Sequence, residues 1–156
     1  MWVGGLSVAG RAVCLRCLDR YAVRYGERYQ LAPNSGASGE PLRAIRAFLD
    51  VTLHRIADPA VPDGCLVAQT ARARPVLSPV IAARAVEAVG LQRARLQTTL
   101  RSAELTERDA EDHSTHITAV NQSLAVMSRA GASGKELGAI VDISMSALAQ
   151  ALRGRG

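Results

Sequence analysis

The chain has 156 residues, 48% hydrophobic but only 3% aromatic, with a formal net charge of +5. That length suits one domain with a real core, burying roughly 68–70% of the surface the unfolded chain exposes. No apolar run approaches the ~20 residues that cross a bilayer, and the opening MWVGGLSVAG has no basic segment before it, so neither a membrane span nor a secretory leader is expected.

Alanine and leucine, strong helix formers, dominate the apolar set and point to an all-α fold. Residues 1–10 read as a frayed end, 11–153 as the folded domain and 154–156 as a tail. A first helix is expected over 11–31, with Cys14, Leu18, Tyr21, Tyr25 and Tyr29 on its inner face. APNSGASG at 32–39 is a loop by composition. Pro41 suits the first turn of a second helix that Leu42, Ile45, Leu49, Thr52 and Ile56 carry to Ala57. Two prolines break the chain over 58–64, and a short helix follows around 65–72. Ser78-Pro79 pairs an N-cap with the favoured first-turn proline. The long helix behind it runs to about Glu104, with Ile81, Ala85, Val89, Leu96 and Leu100 inside and Gly90 as a weak point. Residues 105–112 read as an acidic loop, after which His113 and His116 begin the penultimate helix. No strand pattern is sustained.

The closing stretch is the most informative. Ile117, Val120, Leu124 and Met127 recur at spacings of three and four, one buried helical face. Gly131 supplies a left-handed helix terminus, and Ser133 with Glu136 forms an S-x-x-E capping box for the next helix. That last helix is apolar twice over. Leu137, Val141, Ser144, Leu148 and Leu152 make one stripe, while Ile140, Ile143, Ala147 and Ala151 make another. A helix buried on one side needs a single stripe of roughly 100°, so the second stripe suggests a partner subunit.

The segment RAGASGKELGAIVDISMSAL resembles the closing helix pair of the TetR (tetracycline-repressor-like) family of bacterial one-component transcriptional regulators. CLDRYAVRYGE, at 17–27, is similar to the first helix of that family's ligand-binding domain. DGCLVAQTA, at 63–71, is similar to its G-C-L-hydrophobic-x-x-x-A segment. The resemblance runs from about Val13 to Arg153. It implies a regulatory bundle of about six helices whose last two form a four-helix interface in a homodimer. The residues expected there are Ile117, Val120, Leu124 and Met127, with Leu137, Ile140, Val141, Ser144, Ala147 and Leu148; which apolar stripe faces the partner stays open. It also implies a cavity for a small hydrophobic or amphipathic effector beside the first helix.

Tyr21 and Tyr25 are candidates for that cavity's wall, whereas Tyr29, next to the loop, reads as edge of the core. Phe48, Thr52 and Gln69 are further candidates. Asn121 lies between apolar turns, and a buried amide there needs a partner from a ligand, from the second subunit or from solvent. The family reads DNA with an N-terminal helix-turn-helix closed by a Y-x-x-F-x-x-K stretch, where this chain has GGLSVAGRAV. The expected function is therefore effector sensing and dimerisation without a DNA-reading head of its own. DNA would be engaged only if a helix-turn-helix came from another chain or a longer gene product. The alternative is a helical interaction module that pairs with full-length relatives, or a truncated gene product.

Other chemistry is not expected. Lys135 is the only lysine among nineteen basic residues, and the arginines are scattered beside acids, which reads as solvated surface rather than a phosphate-binding face. Cys14-x-x-Cys17 and His113-x-x-His116 contain zinc-ligand types but lie at opposite ends of the chain, so no metal is expected. Cys65 reads as core. No catalytic motif, phosphate loop or cofactor signature occurs. An odd number of cysteines without framework spacing suits the cytoplasm.

Overall fold

A computed structural model describes residues 15–20, 40–60, 65–73, 75, 77–103 and 105–154. They fold into helices alone: α1 over 15–20, then α2 (Glu40–Ala57), α3 (Leu66–Arg72), α4 (Pro79–Arg101), α5 (Glu107–Arg129) and α6 (Gly134–Arg153). Residues 1–14 and 21–39 lie outside the described set, and with them Cys14, Tyr21, Tyr25 and Tyr29.

α5 occupies the middle, packed against α4, α6 and α2, while α2 also lies along α6. The main core forms where these four meet. Ile45, Phe48 and Leu49 of α2 interlock with Leu96 and Leu100 of α4, Ile117, Val120 and Leu124 of α5, and Leu137, Val141 and Leu148 of α6. Each set recurs at three- and four-residue spacing, so each helix turns one apolar face inward. A smaller cluster joins Leu18 of α1, Cys65, Val67 of α3, Ile81 of α4 and Ala125 of α5.

Helix ends follow their local chemistry. Gly131, at φ 90°, closes α5. The Ala132 amide donates to the Met127 carbonyl and the Gly131 amide to that of Ser128, both at 3.0 Å, which is the Schellman arrangement. The capping box of α6 forms as expected, with Ser133 and Glu136 each bonding the other's backbone amide. Ser78 takes the N-cap position before Pro79, but its hydroxyl makes no cap hydrogen bond.

The loop expected over 105–112 is wrong. α5 begins at Glu107, with the Thr106 hydroxyl accepting from the Asp109 amide at 3.2 Å. Glu107 and Asp109 sit in the first turn, where unpaired N–H groups favour negative charge, so the acidic run marks a helix start. His113 and His116 consequently lie further along α5. Leu105, just before the cap, is buried and extends the core. α4 ends a turn earlier than expected, at Arg101.

Ion pairs fasten the helix crossings. Arg46 of α2 bonds Asp50 at 2.9 Å and reaches Asp142 of α6 at 2.7 Å. Arg84 of α4 joins Asp19 of α1 and Glu87, each at 2.8 Å. Arg101 and Gln97 of α4 both bond the Glu107 carboxylate at the start of α5. All are solvent-accessible, so they orient elements more than they stabilise them.

Candidate functional site

Two features stand apart from the core. The first is a cavity of about 570 Å³, lined by Cys65, Ala68, Gln69 and Ala73 from α3 and its caps, and by Ala125, Val126, Arg129 and Ala130 from the end of α5. Four of these eight are alanines, and small side chains facing one another leave space that larger ones would fill. Cys65 holds the extended N-cap conformation of α3, at φ −107°, which turns a buried side chain towards the smaller core cluster. Its sulfur makes no cap hydrogen bond, in keeping with the weakness of sulfur as an acceptor. Among the described residues, Arg129 is the only ionised group in the lining.

Of the expected wall residues, Gln69 lines this cavity and Tyr21 and Tyr25 lie outside the described set. Phe48, Thr52 and Asn121 are elsewhere. Phe48 is packed into the main core. Thr52 of α2 donates its hydroxyl proton to Asn121 Oδ1 of α5 at 2.6 Å, with both side chains buried. The Asn121 amide oxygen thus has a hydroxyl of the same chain as its partner. Arg129, Ala125, Val126, Ala130, Ala68 and Ala73 were missed. Alanine is everywhere in this chain, and only the placement of α3 relative to the end of α5 distinguishes those that border a space.

The second feature is the outward surface of α5 and α6. Ile143 is 71% exposed and Met127 41% exposed. Ala139, Ile143 and Ala147 recur every fourth residue, with half-buried Ile140 beside them at the edge of the core. On α5, exposed Ala119, Met127 and Ala130 and half-buried Ser123 form the matching strip. The α5 strip turns away from α2, since Ala119 and Ser123 lie on the side of α5 opposite Asn121, whose partner is Thr52.

This sorts the expected interface residues. Ile117, Val120, Leu124, Leu137, Val141, Ser144 and Leu148 are buried within the chain's own core, so in this packing they have no surface to offer a partner. The inner stripe of each helix is taken up by packing against α2 and by the α5–α6 contact. Met127 was placed on the buried face and lies on the outer one. Met127, Ile140 and Ala147 remain accessible, and Ile143 joins them.

Two carboxylates at helix starts have lowered pKa values. The Arg101 guanidinium holds the Glu107 carboxyl below the usual carboxylate range. The Ser133 hydroxyl, then its backbone amide, does the same for Glu136. Among the described residues no cluster of three or more metal-ligating side chains occurs, and no helix is long and apolar enough to cross a membrane.

The described residues thus form an all-helical bundle with a small-residue cavity to one side and a closing helix pair that carries apolar side chains on its outer surface. Residues 41–144, about two thirds of the chain, match the family described as tetracyclin repressor-like, C-terminal domain, and the chain belongs to that family. It is thereby a regulatory domain of a TetR-type regulator, a fold that is not enzymatic. The match takes in DGCLVAQTA and the α5–α6 corner, while CLDRYAVRYGE precedes it. No curated protein and no solved structure matches the chain.

Proposed function

We propose that this chain is the effector-sensing and dimerising part of a cytoplasmic TetR-type regulator, that it pairs with a second copy through the outer surface of α5 and α6, and that the α3–α5 cavity receives its effector. The observation that carries this reading is the exposure of Ile143 in the midst of Ala139, Ile140 and Ala147 on the closing helix. A large aliphatic side chain surrounded by apolar neighbours loses free energy in water, and covering it recovers about 25 cal/mol for each Å² buried. The cavity volume falls within the roughly 300–1,000 Å³ of small-molecule sites. It is bordered by α5, which also carries the outer strip, so one helix touches both the ligand space and the pairing surface.

The test is sedimentation velocity on wild type and Ile143→Glu at micromolar concentration. Wild type should be a dimer and the variant a helical monomer, because an unpaired carboxylate in a desolvated interface costs several kcal/mol. A wild-type chain that sediments only as a monomer sinks the reading.

A further inference from the structure

We infer that the ligand of the α3–α5 cavity is a mostly apolar molecule carrying one anionic group, a carboxylate or sulfonate, which pairs with the Arg129 guanidinium. The inference rests on this cavity being the effector site. Ala68, Ala73, Ala125, Val126 and Ala130 give the space an apolar wall, and among the described residues no acidic side chain lines it. Three other arginines meet a carboxylate of a neighbouring helix: Arg46 with Asp142, Arg84 with Asp19, Arg101 with Glu107. Arg129 lines the cavity between α3 and the end of α5 and, among the described residues, forms no ion pair or hydrogen bond.

An arginine at the rim of an apolar space selects by charge. A cationic ligand is repelled, and a neutral one leaves the guanidinium with water as its only partner. An oxyanion accepts two parallel N–H bonds from the planar guanidinium, a geometry that lysine does not offer. Gln69 lines the opposite wall, and its amide, which has no side-chain partner among the described residues, supplies a further donor.

The site lies at the C-terminal end of α5, where the helix dipole by itself disfavours an anion. That opposition is reduced here. The Val126, Met127 and Ser128 carbonyls already accept hydrogen bonds from Ala130, Ala132 and Gly131, each at 3.0 Å. Arg129 adds a full positive charge in the same turn.

Two fluorescent probes differing only in the anionic group test this: anilinonaphthalene sulfonate and its uncharged parent, phenylnaphthylamine. Each is titrated into the full chain as wild type, Arg129→Gln and Ala73→Trp, with Ala68→Trp as a second way of filling the cavity. Wild type should bind the sulfonate about tenfold or more tightly than the parent, the scale of one hydrogen-bonded charge pair. Arg129→Gln should bring the two affinities together, and either tryptophan variant should weaken both. Decanoate should displace the sulfonate from wild type, and decylamine should not. Equal affinity of the two probes for wild type, or a preference that survives Arg129→Gln, overturns the charge rule. If the tryptophan variants still weaken both probes in that case, the cavity stands as the site and only the ligand class is wrong. Tryptophan variants that bind both probes as wild type does would overturn the cavity as well.

Discussion

Gly90 and Gly131 respond in opposite directions to the same substitution. Gly90 sits inside α4, and a Cβ built on it meets nothing within 4 Å. Gly90→Ala removes backbone freedom from the unfolded chain and should stabilise the protein by ~0.5–1 kcal/mol. Gly131 also has open space around it, but its φ of 90° is a conformation that L side chains rarely adopt. Gly131→Ala should cost roughly 1–2 kcal/mol for that reason alone. Urea unfolding measures both, and equal stability of Gly131→Ala and wild type would show that the left-handed corner is not held in solution. Both positions were legible in the sequence, because chirality and helix propensity act on single residues. Asn121 was legible only as a buried amide. Its partner Thr52 lies 69 residues away on another helix, and no local pattern connects them. The cavity was less legible still, since of its eight lining residues only Gln69 is expected as wall, while Cys65 reads as core.

The helices themselves were easier to read than their ends. α2, α3, α4 and α6 fall close to where periodicity, proline and the S-x-x-E box put them, since each signal is local. The start of α5 was misread because acidic residues are common in loops and equally at home in the first turn of a helix. Thr106 decides between the two by capping the Asp109 amide. The same chemistry makes the corners pH-sensitive. Glu107, held by Arg101, and Glu136, held by Ser133, both have folded-state pKa values below the ordinary carboxylate value. Between the two values the unfolded chain binds the proton more readily. Their stabilisation is therefore complete above the ordinary carboxylate pKa and lost as the pH falls through the lowered one. The melting temperature should fall on acidification from about pH 7 to about pH 3, and Ser133→Ala should flatten part of that fall. Ser133→Ala should also lower the melting temperature at neutral pH by about 2–4 °C through loss of the cap. An unchanged acid profile in that variant would mean that the capping box does not couple Glu136 to folding.

At the scale of the whole molecule, charge and apolar surface make opposite demands on association. Each copy carries +5, so two copies repel one another at long range. The strip proposed to bring them together holds Met127, Ile140, Ile143 and Ala147 and no charged side chain among those four. Salt screens the repulsion over a Debye length of about 10 Å at 0.1 M, while leaving apolar burial in place. Dimerisation should consequently hold or tighten as salt rises from about 0.05 to about 0.5 M. Any attachment to nucleic acid through the scattered arginines would behave the other way, weakening steeply with salt as counterions compete for the phosphates. Sedimentation equilibrium at the two salt concentrations measures the first, and an anisotropy titration with duplex DNA measures the second. A dimer that falls apart at high salt would show that ion pairs, not the outer strip of α6, hold the copies together. The partner surface would then have to be sought among the arginines of α4 and α5.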